Sequence, residues 1–498
     1  MRKTAGLRRP GCREILKALL IASPLILEGC AQLPHTDPPP ALKDISQLGS
    51  ASSFAAAPTD WPGDGWWRAY GDPQIDALIE EALRTSPDLE LAQARLHAAS
   101  AAVQGAHASR IPEVTGHVGI AESKQSYNYL IPKSALPQGW TDYGQATVNL
   151  SWELDFWGKN RAALAAALSE QRAAQVEVAE TRLILSTSIA ASYAELVHLY
   201  TLRDNAAETL DIRTKTVTLF RQRHEFGLET LASVREVEAR QAGAEGDLLA
   251  IDEEIGLQKN AIAALLGAGP DRGLAIARPT AKFSGAEGLP ANLALELLGR
   301  RPDIIAARSR TEAAARRIDQ AKAGFYPSVN LMAFVGVQSL GIENLTKSGS
   351  DFGSVGPAIS LPIFNTERLQ GQLRGAHADY EAAVATYNAT LAEALHEVAD
   401  AATSRKSLDG ELSAARAAVA AAAEAHQIVS RRYEGSLATY LDVLTAQDQL
   451  ISARRAEAEL ETRALILDVA LVRALGGGFS AQTLGAQSQT PHVEPRHS

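Results

Sequence analysis

The sequence predicts a mainly α-helical chain with a membrane β-barrel: four strands per chain, closed into twelve only when three copies assemble. Three observations predict it. First, the chain is an internal tandem repeat. Ser86-Pro87-Asp88 and Pro112-x-Val114 recur 215 positions later as Arg301-Pro302-Asp303 and Pro327-x-Val329. The stretch Arg223-His224-Glu225-Phe226-Gly227-Leu228-Glu229-Thr230 recurs at an offset of 209 as Arg432-Tyr433-Glu434-Gly435-Ser436-Leu437-Ala438-Thr439. A repeat whose register changes once is a duplicated unit with one loop of different length. Second, no proline occurs between Pro137 and Pro270 or between Pro362 and Pro491, so each copy has room for very long helices. Third, short runs between the helices alternate apolar and polar with period two, as strands do.

The elements follow in chain order. Residues 1–29 read as an export signal, with Arg2, Lys3, Arg8, Arg9, Arg13 and Lys17 ahead of the apolar stretch Ala18 to Leu27, which is too short to span a bilayer as a helix. Leu27-x-Gly29-Cys30 then matches the bacterial lipoprotein box, with Glu28 at a position usually small or apolar. Cys30 is the expected lipidation site, and Ala31 after it favours the outer membrane. Residues 30–58 are a Pro/Ala/Ser-rich tether. The first repeat, 59–285, carries strands about 113–123 and 143–156 and long helices about 159–266. The second, 286–478, carries strands about 328–338 and 352–363 and long helices about 367–475. A polar tail, 479–498, ends the chain.

The first long helix, from Lys159 to the Phe226-Gly227 turn, is roughly 65 residues, about 100 Å of rise. A shorter helix returns from each turn, Leu231 to Leu266 and Tyr440 to Leu475, stopped by glycine. In the second strand Val148, Leu150, Trp152, Leu154 and Phe156 alternate with Asn149, Ser151, Glu153 and Asp155. Glu153 and Asp155 are the expected lumen-facing acids. Four strands leave two raw edges, which hydrocarbon forbids. Other subunits must therefore close the barrel, and three copies give twelve strands, an even number. The first hairpin loop, 123–142, is the longer and holds Tyr127, Tyr129 and Trp140, suited to an interfacial belt.

Composition excludes several functions. Hydrophobic residues are 46% but aromatics only 5%, so the apolar content is mostly alanine, leucine and valine, of which alanine and leucine favour helix. Net charge is −10, and removing the basic leader makes the chain more acidic still, which argues against nucleic acid. Cys12 lies in the leader, leaving no thiol but Cys30 for a disulfide or a thiolate metal site. No His-Glu-x-x-His, phosphate loop or Gly-x-Ser-x-Gly is present, so neither an enzyme nor a resident cofactor is expected beyond a covalent lipid on Cys30.

In order and spacing, Trp66-Trp67-Arg68-Ala69-Tyr70-Gly71-Asp72-Pro73-Gln74-Ile75, Ser151-Trp152-Glu153-Leu154-Asp155-Phe156-Trp157-Gly158, Arg300-Arg301-Pro302-Asp303-Ile304, Gly324-Phe325-Tyr326-Pro327, Leu361-Pro362-Ile363-Phe364 and Tyr440-Leu441-Asp442-Val443-Leu444 resemble the TolC-like outer-membrane efflux channels, in their NodT-type lipoprotein branch. The resemblance covers roughly residues 60 to 475. It implies a homotrimer with a 12-stranded β-barrel on a 12-helix α-barrel. It also implies passive export to the cell exterior, fed by an inner-membrane efflux pump through a periplasmic membrane-fusion adaptor.

Residue by residue, the resemblance makes Gly227 and Leu228 adaptor contacts at the first helix tip and Gly435 and Ser436 those at the second, where Ser436 stands at the position of the turn glycine. It assigns Tyr433 and Asp442 to the periplasmic gate, with Thr445 and Ala438 where the family often has a second carboxylate and a basic residue. Three copies of Asp442 would form a ring favouring cations. A type I secretion duct and a structural periplasmic coiled-coil lipoprotein are the alternatives.

Overall fold

The computed structural model describes residues 40–49, 54, 58–128, 130–280, 289–290, 293–363 and 365–481. The signal segment, most of the tether with Cys30, Tyr129 and the tail from 482 lie outside the described residues. The chain divides into two compact units, one holding residues 97–172 and 308–386, the other residues 42–96, 173–307 and 387 onward.

The tandem repeat is visible in element lengths. Helix α1 is Pro73–Thr85 and α2 is Pro87–Ala108. Strands β1, Glu113–Ser123, and β2, Thr141–Leu154, form the first hairpin. Helices α3, Lys159–Glu225, and α4, Leu231–Leu265, form the first helical hairpin. The second copy gives α5, Leu293–Arg300, and α6, Pro302–Ala323. Strands β3, Ser328–Leu340, and β4, Asp351–Ser360, follow, then α7, Thr366–Glu434, and α8, Tyr440–Ala474. Counterparts match closely: 22 residues in α2 and α6, 67 against 69 in α3 and α7, 35 in both α4 and α8. The register change falls in the strand loops, 124–140 against 341–350.

In the first unit the four strands form one antiparallel sheet in the order β1-β2-β3-β4. Directly paired residues share a face, so the register sorts every side chain. One face carries the rows Val114–Leu150–Ala333–Val355, Gly116–Val148–Val335–Gly353 and Trp152–Leu331–Pro357. Val114, Val118, Ile120, Val148, Val335, Val355 and Ile359 are all exposed on it. The opposite face carries Thr115, His117, Gln145, Thr147, Asn149, Ser151, Glu153, Asn330 and Ser354. An apolar face with its valines and isoleucines exposed, opposite a mainly polar one, is the pattern of a strand set between lipid and a wet lumen. No helix among the described residues is long and apolar enough to cross a membrane. Beneath the strands Ile318 and Phe325 pack on Leu369 and Leu373, and Arg317 pairs with Glu170 at 3.0 Å.

The end of β2 corrects one expectation. Asp155, read as a lumen-facing strand acid, lies beyond the strand, which stops at Leu154. Its Oδ1 accepts from the Asn160 N–H (3.2 Å) and its Oδ2 from the Arg161 N–H (2.9 Å). These first-turn donors of α3 have no partner within the helix. A polar residue satisfies either the alternation or a helix start, so period two runs through the junction without marking it.

In the second unit the segment Trp66–Tyr70 and α1 are clamped onto the long helices. Trp67, Tyr70, Ile75, Leu78 and Ile79 pack with Ile189, Tyr193 and Leu196 of α3, Ile262 of α4 and Val469 of α8. The Tyr193 hydroxyl donates to Asp72 at 2.6 Å, and the Thr280 and Gln74 N–H groups donate to the same carboxylate. Burial alone would push the Asp72 carboxyl up, but these donors outweigh it and hold it below the usual carboxylate range. At the start of α6 the Arg301 guanidinium is 9% exposed. It forks onto Asp303 (2.6 and 3.0 Å) and also donates to Glu397 of α7 and to the Ala474 carbonyl at the end of α8.

Candidate functional site

The two helical hairpins end in turns of the same design. At the first, Gly227 takes φ +70°, the Leu228 N–H donates to the Arg223 carbonyl (2.8 Å) and the Gly227 N–H to that of His224 (2.9 Å). This pair of hydrogen bonds across a left-handed residue closes a helix C-terminus. Thr230 then caps α4, accepting from the Ser233 N–H at 3.1 Å.

At the second tip Ser436 takes φ +60°, the Leu437 N–H donates to Arg432 (2.7 Å) and the Ser436 N–H to Tyr433 (2.9 Å). Ser436, not Gly435, therefore fills the place of Gly227, and it is the one non-glycine residue with positive φ among the described residues. A side chain there costs about 1–2 kcal/mol, partly offset by the lower entropy that serine loses on folding. Ser436→Gly is expected to tighten this turn by under ~1 kcal/mol. Hydrogen exchange at the Leu437 amide should slow by up to about fivefold; faster exchange would contradict the strain argument.

Both tips present apolar side chains to solvent. Phe226 is 79% exposed and Leu437 is 72%, with Leu228, Leu231 and Leu441 also bare. Single exposed leucines are ordinary, but here apolar side chains cluster at the end of each hairpin.

The residues assigned to the gate behave differently from one another. Tyr433 packs: its ring lies 5.7 Å from Tyr440 and under the Arg223 guanidinium at 5.5 Å. Its hydroxyl has no partner among the described residues, and burial pushes it above its ordinary pKa. Asp442 is in a capping box. The Thr439 side chain accepts from the Asp442 N–H at 3.3 Å, while the Thr439 hydroxyl and N–H donate to Asp442 Oδ2 at 2.7 and 2.8 Å. Those donors hold its carboxyl below the usual range. The carboxylate thus both caps α8 and stays exposed and charged.

A ladder of ion pairs, unread from the sequence, ties α8 to the first hairpin. Arg213 of α3 meets Asp448 at 2.5 Å, and Arg240 of α4 meets the same carboxylate at 3.3 Å. Further along, Arg454 pairs with Glu208 (2.6 Å) and Arg455 with Asp247 (3.3 Å). Phe220 packs on Tyr440 with centroids 4.2 Å apart.

On the sheet, Glu153 lies on the polar face, opposite Asn330, and is bound to Lys159 at 3.0 Å. A second acid, Glu113, stands exposed on the same face opposite Ser151. It heads its strand directly after Pro112, outside the alternating run that drew attention to Glu153. Among the described residues no cluster of three or more His, Cys, Asp or Glu side chains could hold a metal ion.

Such a sheet, with exposed apolar side chains on one face and both edges unpaired, followed in the chain by long helical hairpins, has the pattern of a membrane-barrel subunit. The model of the outer membrane efflux protein family matches residues 78–268 and 293–477, and the chain belongs to that family. It is similar to the outer membrane protein VceC of Vibrio cholerae, at 47% identity and a TM-score of 0.80 over 84% of this chain and all of that one. The fusaric acid resistance protein FusA of Burkholderia cepacia is 33% identical over 75% of this chain and 71% of its own length. The multidrug resistance outer membrane protein MdtP of Escherichia coli K12 is 29% identical over 94% of this chain and 97% of its own. The fold is that of the TolC-like outer-membrane channels.

Proposed function

We propose that three copies of this chain close one outer-membrane duct through which drugs or other small toxic compounds leave the cell passively. An inner-membrane pump supplies them through a periplasmic adaptor, and Cys30 carries the lipid that anchors each copy. The observation that carries this reading is the four-stranded sheet, whose bare apolar face suits lipid and whose two open edges demand partners. The resistance functions in the names of FusA and MdtP favour small-molecule efflux over protein secretion.

In this mechanism the polar strand face, with Glu113 and Glu153, keeps the lumen hydrated. The tips rest closed, held by the ladder between α8 and the first hairpin and lined by three Asp442 carboxylates. The exposed tip residues Phe226, Gly227, Leu228, Gly435, Ser436 and Leu437 receive the adaptor, whose docking splays the helices. No energy source or cofactor acts within the channel itself.

Planar-bilayer recording tests the gate with two variants chosen for the capping box. Asp442→Asn removes the charge but keeps an acceptor for Thr439; Asp442→Ala removes both. Both are expected to raise single-channel conductance or relieve block by a multivalent cation. An effect of alanine alone would reduce Asp442 to a helix cap, and no effect of either would remove it from the gate.

A further inference from the structure

The polar face of the sheet carries an apolar cluster in its middle rows, apart from the Ala121–Tyr143–Leu340 row at the loop end. Phe334 stands directly opposite Asn149 on one side and Ser354 on the other, so it shares their face and not that of Val335. Phe352 is opposite Gly336, which is opposite Thr147, and falls on the same face. The two rings meet with centroids 5.2 Å apart and planes at 58°. Met332, one row along, is opposite Ser151 and 53% exposed. Gly336 must stay without a side chain, since a Cβ there would come within 2.3 Å of the Ala146 carbonyl oxygen. Apolar residues belong on the lipid face of such strands, and three gathered on the wet face form a patch that water covers poorly.

The patch has a charged neighbour. Glu113, Ser151 and Met332 lie in one row across β1, β2 and β3, and Glu113 is exposed. Aromatic faces attract cations through the ring quadrupole, and a carboxylate on the same wall adds to that attraction.

We propose that Met332, Phe334 and Phe352, with Glu113, form a binding platform on the lumen wall for lipophilic aromatic cations passing through the barrel. One platform per subunit gives three around the channel. The platform favours apolar, aryl-bearing cations over strongly hydrated ones. This rests on the reading of the polar face as the lumen of a conducting barrel.

The test is planar-bilayer recording of the purified trimer, with tetraphenylphosphonium or the strongly hydrated magnesium ion added on the side of the strand loops. Wild-type channels are expected to show block by tetraphenylphosphonium. In Phe334→Ser/Phe352→Ser this block should weaken by about tenfold, the order expected when cation–ring contacts are lost. Block by magnesium, whose tightly held water shell keeps it off an apolar ring pair, should not change. Phe334→Leu/Phe352→Leu keeps apolar bulk in the sheet and should give an intermediate loss, which separates binding from a purely structural role of the ring pair. Channels that conduct normally but keep full tetraphenylphosphonium block in both variants would overturn the platform alone. A wild-type protein that does not conduct would overturn the channel reading and the platform with it.

Discussion

Replacing Arg301 by alanine is expected to destabilise the protein by about 3–5 kcal/mol, the range for breaking a buried ion pair from one side. The guanidinium serves three elements together: Asp303 at the head of its own helix, Glu397 in the middle of α7, and the carbonyl of Ala474 where α8 ends. Its removal leaves the Glu397 and Asp303 carboxylates partly buried without their cation. Glu180 nearby is already pushed up by burial and loses part of the positive field that favours its charge. Thermal denaturation of the detergent-solubilised protein should show a clear drop in midpoint, and heat-resistant oligomer on gels should decrease. Arg301→Lys should rescue little, because an ammonium cannot fork onto Asp303 while reaching both other acceptors. An unchanged midpoint in Arg301→Ala would show that the second repeat is held by its apolar contacts alone.

Breaking the ladder at Asp448 is the second large effect, and it is read in conductance. Asp448 is 52% exposed but its partner Arg213 only 7%. The pair's worth therefore lies between the ~0.5 kcal/mol of an exposed bridge and the ~4 kcal/mol of a buried one. Asp448→Ala removes two contacts at once, one to α3 and one to α4, and strands the Arg213 charge. The tip of α8 should then separate from the first hairpin more easily, giving channels with several-fold larger or more frequently open conductance. Asp448→Ala combined with Arg213→Ala should regain stability, since no buried charge is left over, while the open conductance persists. If Asp448→Ala lowers stability and leaves conductance unchanged, the ladder is scaffolding and the gate lies elsewhere.

Much of this fold was legible in the residues, for physical reasons that differ by element. The long helices announce themselves because proline is excluded from them, and the strands because lipid and water impose alternation residue by residue. The tips are legible because closing a helix needs a left-handed residue, which makes Gly227 conspicuous and marks Ser436 by position. Contacts between distant stretches were not legible. Arg213 and Asp448 are each one charge among many on a long helix, and only packing shows that they meet.

Phe334 is an intermediate case. It breaks the alternation of Val329, Leu331, Ala333, Val335 and Val337, a visible signal, but its pairing with Phe352 depends on a register that only the folded sheet supplies. Asp155 shows the converse error, where one polar residue fitted two patterns and the strand was read too far.

The measurement that tests the central claim most directly is the native mass of the purified, detergent-solubilised mature protein, taken on the sample used for single-channel recording. Three chains per particle, with no stable monomer and a small cation-preferring conductance, is the predicted result. A monomer, or a particle soluble without detergent that does not conduct, would contradict closure of the four-stranded sheet into a barrel.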